Sequence, residues 1–521
     1  MKTHWRWSLN ANNPRRDLLL LAGLALVVGL GLMAAIRMPG YTDAYYYYNA
    51  GERIATGEGL TDPYLWNYLN PPDSLPAPSH TYWMPLASLL MAASQVILGA
   101  SFTAAQVPFL LSLTGLTVLT GWLGWNIGGT RRYLWLPALL VLFGGFFFPF
   151  WLSTDTFALF GLWGAITLIT LGLGRERHDW RLLAVAGVGS GLAHLTRADG
   201  VLLLLVALLM LGWPRPRWRL MGVVILGYLA IMTPWFIRNL NVIGSPLPSG
   251  GVNTAFLRGY NELFDYPVEW SAANFFAWGW GNILNSRWEA TVNNFATWAV
   301  VENWVLLGPL ALWAWWQRRR ESLWAGFGLY ALGLHLAMTL VFAYPGYRGG
   351  LFHSSAALLP FWAVLGIQGL DAGIARMAQW RRWNEPQAKR VFGGAAVLLA
   401  VFLSLNGLVL QVKTRSAGPD YEALRAYLPD DAVLMANDPA GWYYHTGLEG
   451  VTLTDAPLSR VPEIARRYHV TYLILDVNVT DSFEPVFKGD STPTYLELVV
   501  HLDEGTTDPE DDVRIYRFTL D

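Results

Sequence analysis

Eleven stretches of this chain are apolar over roughly the length a bilayer demands of a spanning helix, about 20 residues. They run over 18–36, 106–128, 133–151, 156–173, 182–196, 198–212, 219–236, 296–315, 323–343, 355–373 and 391–411. The bilayer core offers no water to backbone N–H and C=O groups, so stretches of this kind must be helical. The chain therefore reads as an α-helical polytopic membrane protein. Composition agrees: 53% of the 521 residues are hydrophobic and 14% are charged, against roughly 25% charged in soluble domains. A soluble enzyme is excluded, and no nucleic-acid partner is expected. The absence of Cys removes disulfides, thiolate nucleophiles and Cys-ligated metals.

Orientation follows from Lys and Arg, which stay on the cytoplasmic side of short loops. With the N-terminus inside, the inner segments are 1–17, 129–132, 174–181, 213–219, 316–322 and 374–390. They hold 20 Lys and Arg, against seven in all outer segments before the tail. The segment 84–99 is apolar but only about 16 residues long, with Pro85 near its start. As a twelfth span it would invert every later basic loop, so an interfacial or re-entrant helix on the outer face is expected. The first stretch follows Arg15-Arg16 and is signal-like, yet no small-residue cleavage site follows it. It is expected to remain as an anchor in a cell (plasma or inner) membrane.

The spans divide the chain into a membrane body, 1–417, and an extracytoplasmic tail, 418–521. In the tail the apolar runs shrink and acids outnumber bases. Helices are expected over Asp420–Leu428 and Leu458–Tyr468, and strands over Ala432–Ala436, Thr471–Asp476, Tyr495–Leu502 and Val513–Leu520. These make a small α/β domain whose acidic surface reads as a solvated face.

Ionisable groups at membrane depth are costly, about 2.5 to 3.5 kcal/mol each on insertion scales, so those that persist are functional candidates. Here they collect at the outer ends of the spans: Asp43, Asp155, Arg197 with Asp199, Arg238, Arg348 and His353. The long spans are expected to lack a mid-depth acid. Any one of these side chains could equally cap a helix or snorkel; helices whose outer corners all carry charge can enclose one polar cavity. The run Tyr45 to Tyr48 reads as an interfacial aromatic belt, and Gly187 with Gly191 as a small-residue helix contact. The first outer loop, 37–82, is too long for a plain connector. It holds Asp43, Glu52, Glu58, Asp62 and Asp73, and its start, Ala44 to Ala55, reads as an amphipathic helix ending at Gly57.

That loop carries Asp43-Ala44-Tyr45-Tyr46, then Ala50, Ile54-Ala55, Gly57 and Gly59-Leu60. With Met84-Pro85-Leu86, Leu195-Thr196-Arg197-Ala198-Asp199-Gly200, and Thr233-Pro234-Trp235-Phe236-Ile237-Arg238-Asn239 before Gly244-Ser245-Pro246, the chain resembles the GT-C glycosyltransferases that use polyprenyl-phosphate sugars. Protein O-mannosyltransferases and bacterial aminoarabinose transferases are the closest groups. The resemblance covers about 15–375.

It implies a GT-C-like fold and a direct, inverting transfer of a hexosyl or pentosyl group to an acceptor on the outer face. It makes Asp43 the general base and Asp155 an acceptor-orienting or ion-paired acid. Arg238 is the implied donor-phosphate cation, with Arg348 as second choice. His80 stands where some members carry Lys and can bind phosphate only weakly unless protonated. Tyr45, Glu52, Arg197, Asp199 and His353 are expected to bind substrate or shape the site. The partners implied are a polyprenyl-phosphate sugar donor, a protein, glycan or lipid acceptor, and the bilayer. No cofactor is assigned; a divalent cation is compatible with the family, but the loop has no Asp-x-Asp pair. The rival from another class is a transporter or flippase of lipid-linked sugars, which would place coupling residues at mid-depth on broken helices and often carry inverted repeats.

Overall fold

The computed structural model describes residues 14–248, 250–268, 270–416, 421–502 and 512–520. The basic residues expected inside at Lys2 and Arg6, and the boundary between 417 and 418, lie outside that set. Every one of the eleven apolar stretches carries helix. Seven described helices or helix runs are long and apolar enough to cross a membrane: Arg15–Ala35, Phe102–Gly128, Phe157–Arg177, Trp218–Ile243, Ser322–Val341, Ala343–Arg381 and Glu385–Arg415. The chain is a multi-pass membrane protein.

Two stretches expected as single rods are broken. The third is α-helical over Arg131–Leu142, turns at Gly145 (φ 61°), and continues as a 3-10 turn over Gly145–Phe150. The eighth passes from Trp280–Ala296 into a π-helical turn, Thr297–Glu302, and resumes only at Gly308–Arg318. Its break contains Glu302, so the expectation that long spans lack an internal acid is corrected. Glu302 is fully buried; it accepts a hydrogen bond from Trp362 Nε1 at 2.8 Å and lies 3.1 Å from His335 Nε2. Irregular backbone at membrane depth is tolerated where it is buried in protein, and Glu302, Asn303 and Trp304 in this break are buried.

The helices pack through small residues, as Gly187 and Gly191 lead one to expect. A methyl group at Gly191 would stand 2.8 Å from Ile231 Cβ, and one at Gly227 would stand 2.8 Å from the Ala184 carbonyl. Helices Trp180–Thr196 and Trp218–Ile243 therefore approach closely, which is how apolar helices gain van der Waals contact without a hydrophobic driving force. At the end of the bundle expected to be cytoplasmic, Arg131 pairs with Asp17 at 2.9 Å and Arg132 grips Asp371 through both carboxylate oxygens.

At the other end stands the first long loop, which forms a helix over Thr42–Thr56 closed by Gly57 in the left-handed conformation (φ 93°). The segment 84–99 forms a short helix, Leu86–Leu98. Tyr45 to Tyr48 are not an interfacial belt: all four side chains are at most 5% exposed, packed inside the body.

The C-terminal strands form where expected, at Leu434–Ala436, Tyr472–Leu475, Leu496–Leu502 and Val513–Phe518. The sequence reading missed a helix, Pro439–Thr446, and a strand, Gly450–Thr452. It also missed that the sheet is shared. Its order begins with Tyr64–Leu65 from the first loop, then Gly450–Thr452, Leu434–Ala436, Tyr472–Leu475, Val513–Phe518 and Leu496–Leu502. Tyr64 aligns with Gly450 and Leu65 with Val451, in parallel. The first four strands run parallel, and the last two add antiparallel pairs.

Candidate active site

Asp43 occupies the first turn of Thr42–Thr56, where the positive end of the helix dipole favours a carboxylate. Asp155 lies in the turn before Phe157–Arg177 and is buried. Thr154 Oγ1 donates to the Ala44 carbonyl at 2.9 Å, fixing that turn to the loop helix. Tyr41 donates its hydroxyl to Asp155 Oδ2 at 2.9 Å, and His353 Nε2 lies 3.0 Å from the same oxygen. The His353 ring stacks on Phe157, with centroids 4.0 Å apart. Asp43, Asp155 and His353 each offer a ligand atom, and these atoms all lie within 4.8 Å of one another.

Two carboxyl groups this close respond differently to their surroundings. Burial, and next the charge on Asp155, raises the pKa of Asp43. Burial works to raise Asp155 as well, but the His353 contact and the Thr156 amide outweigh it and hold the group low. One acid is thus an effective base near neutrality and the other a fixed anion. Arg197 supplies the nearby cation. Its Nε donates to Asp199 Oδ1 at 3.2 Å and to Ser354 Oγ at 3.0 Å, and its charge reaches both Asp43 and Asp155.

The other expected site residues fall into separate groups. Arg238 donates to the Ser79 carbonyl at 2.7 Å and to Asn239, and its guanidinium lies over Trp235; none of these contacts is with Asp43 or Asp155. His80 is fully buried beside it, with Nδ1 2.9 Å from Ser79 Oγ and Nε2 3.1 Å from Ser88 Oγ. Burial, and secondarily Arg238, pushes its pKa down to about 3. Both of its nitrogens are engaged, and burial opposes the protonation without which His80 is expected to bind phosphate only weakly. Arg348 is exposed, stands over the Tyr260 ring at 4.9 Å, and has no carboxylate partner among the described residues. Tyr45 turns to His445, 2.9 Å from its Nε2, and Glu52 accepts from Tyr48 at 3.0 Å.

Four residues near Asp43 escaped sequence reading. Tyr47, Tyr82 and Tyr260 are held protonated chiefly by burial, with the charge on Asp43 acting in the same direction on each. The fourth is Asp438, just before helix Pro439–Thr446. Burial raises its pKa to about 6, and its charge is felt at Asp43. The aromatic string Trp442-Tyr443-Tyr444-His445, unusual in an acidic tail, is the signal that could have drawn attention to it.

The triad of Asp43, Asp155 and His353 has the donor set for a divalent cation. His353 Nδ1 lies 2.8 Å from the Gly349 carbonyl, so an Nδ1–H donated there would let Nε2 give up its hydrogen bond to Asp155 and turn its lone pair to a bound cation. That backbone contact is the usual outer support of a metal-binding imidazole.

No family model matches the chain, and no curated protein matches it. Solved structures do. ArnT from Cupriavidus metallidurans bound to undecaprenyl phosphate is similar at a TM-score of 0.55 and 13% identity, over 96% of this chain and 98% of that one. The Archaeoglobus fulgidus oligosaccharyltransferase complex with Zn and sulfate is similar at 0.56 and 14%, over 88% and 68%. AglB from the same organism, in complex with an inhibitory peptide and a dolichol-phosphate, is similar at 0.53 and 12%, over 89% and 70%. The fold is GT-C-like, as the resemblance in the sequence implied: a polytopic helical body, a structured first loop and a C-terminal α/β domain.

Proposed function

We propose that this protein is an integral-membrane glycosyltransferase that moves a sugar from a polyprenyl-phosphate donor to an acceptor on the extracytoplasmic face. The observation that carries the reading is the meeting of Asp43, Asp155, His353 and Arg197 at one end of the bundle, under the first loop. In this reading the N-terminus is cytoplasmic and the C-terminal domain is outside.

Asp43 takes the proton from an acceptor hydroxyl or amine as that group attacks the anomeric carbon. The bond from that carbon to the phosphate oxygen breaks in the same displacement, inverting the centre and releasing polyprenyl phosphate. Burial makes Asp43 a better base near neutral pH than an exposed carboxylate. Asp155, held by Tyr41 and His353, orients the acceptor side. Arg348, free of any carboxylate among the described residues, meets the leaving phosphate more readily than Arg238, whose donors already serve Ser79 and Asn239. Asp43, Asp155 and His353 together would hold a divalent cation, which would supply positive charge for the leaving phosphate.

The test is incubation of purified protein with a panel of polyprenyl-phosphate hexoses and pentoses. Turnover of at least one is expected, and Asp43→Asn should reduce it by about 10²-fold or more with unchanged extraction from membranes. Full activity of Asp43→Asn overturns the base assignment. The alternative of a flippase draws on the intramembrane Glu302–His335 pair; translocation of intact donor in vesicles without turnover would favour it.

A further inference from the structure

The C-terminal domain does not merely stand beside the proposed site. Helix Pro439–Thr446, which Asp438 precedes, is clamped onto the loop helix Thr42–Thr56 by three contacts. Asn49 Nδ2 donates to the Ala440 carbonyl at 2.9 Å, Arg53 Nη1 to Tyr443 Oη at 3.0 Å, and Tyr45 Oη lies 2.9 Å from His445 Nε2. The clamp delivers the Asp438 carboxyl to Thr42, the residue next to Asp43. Gly441 is required there, because a Cβ at that position would lie 2.7 Å from Asp438 Oδ2 and 3.0 Å from the Tyr421 hydroxyl.

One oxygen of this carboxyl is left over. Asp438 Oδ1 is buried and has no hydrogen-bond partner among the described residues. A buried acceptor left unpaired costs about 1 to 3 kcal/mol, more when charged, and in native proteins such an atom calls for a ligand or a function. Among the described residues no Lys or Arg forms an ion pair with Asp438. Its charge is felt at the proposed base Asp43 and at Tyr45, Tyr64 and Tyr260. Tyr260 also lines a polar cleft of about 500 Å³ between the segment Arg258–Asp265 and the C-terminal domain, with Trp278, Asp455 and Asp481 on its walls. Tyr260, which feels the charges of both Asp43 and Asp438, ties this cleft to the site. Its acids disfavour an anionic guest.

We propose that Asp438 is the acceptor-binding carboxylate of the site, its free oxygen accepting a hydrogen bond from a hydroxyl or ammonium group of an uncharged or cationic acceptor. The inference rests on the glycosyltransferase reading and deepens it. The C-terminal domain thereby supplies part of the acceptor site, and the donor site stays within the membrane body.

The experiment measures steady-state kinetics of wild type and Asp438→Asn with the donor and acceptor varied separately. Loss of a hydrogen bond to a charged group predicts a rise in acceptor KM of about tenfold or more, well beyond any change in donor KM. An unchanged acceptor KM overturns the proposal, as does an equal loss in all parameters, which marks a structural role. If Asp438→Asn fails to fold, Asp438→Glu serves: it keeps the charge but displaces the oxygens by a methylene, and an unaltered acceptor KM overturns the proposal equally. Absence of turnover in wild type with every donor instead sinks the glycosyltransferase reading.

Discussion

Asn49 of the first loop donates its side-chain amide to the backbone carbonyl of Ala440 in the C-terminal domain, 391 residues away in sequence, at 2.9 Å. The same nitrogen reaches the Tyr64 hydroxyl at 3.3 Å, at the strand that joins the shared sheet. A buried side chain that bridges the two parts in this way couples the docked helix to the shared sheet, alongside the Arg53–Tyr443 and Tyr45–His445 contacts.

Replacing Asn49 with Leu leaves the Ala440 carbonyl without that donor, and an unmet buried group costs about 1 to 3 kcal/mol. The expected outcome is faster amide hydrogen exchange over Pro439–Thr446 and Tyr64–Leu65 together, with the membrane helices unchanged. Unaltered protection at both segments would show that the domain docks independently of Asn49.

Cation binding by Asp43, Asp155 and His353 has a readout independent of turnover. A ligand that binds only the native state raises stability by mass action, so Mn²⁺ or Zn²⁺ added to chelator-treated protein should raise Tm, and chelator should reverse the rise. His353→Ala should abolish it. A rise that persists in His353→Ala places the ion elsewhere.

Asp62 gives a pH dependence of stability. It is buried, and its Oδ2 accepts from Tyr46 at 2.9 Å. Burial pushes its pKa up to about 7, above the usual carboxylate value of about 4. The native state therefore binds this proton more tightly than the unfolded chain does. The contribution is fully present below pH 4, falls as pH rises from about 4 to about 7, and is gone above that. Asp62→Asn should remove this part of the decline, measured as the difference in Tm between pH 5 and pH 8. An identical slope in wild type and variant would rule out Asp62 as its source.

Much of this architecture is legible in the sequence because membrane physics writes long signals. Twenty apolar residues announce a helix, and Asp43, Asp155, Arg197 and His353 stand out because charge at span ends is rare. The same logic could not separate Arg238 and Arg348, since both are single cations near outer ends. Their difference lies in side-chain partners that only the packed structure assigns. Tyr64–Leu65 is a two-residue strand, below any periodicity, and its parallel partner Gly450 lies across the whole membrane body in sequence. Asp438 is one acid in an acidic tail, without contrast against its neighbours. Glu302 was masked by the apolar residues around it, which made the stretch look like an unbroken rod.

Glu302 and His335 test that last point directly. Glu302 lies in the π-helical turn Thr297–Glu302, His335 precedes a second one, Ala337–Val341, and Trp362 closes the pair from a third helix. Removing one partner of a buried pair strands the other charge, which costs roughly 3 to 5 kcal/mol, whereas replacing both with apolar residues is often neutral. Glu302→Leu and His335→Leu should each lower Tm in detergent, and the double variant should recover most of the loss. If the double variant is instead as unstable as the two losses added together, the side chains act independently. If it recovers stability and also retains glycosyl transfer, the pair serves to hold the broken eighth helix in place and takes no part in moving substrate.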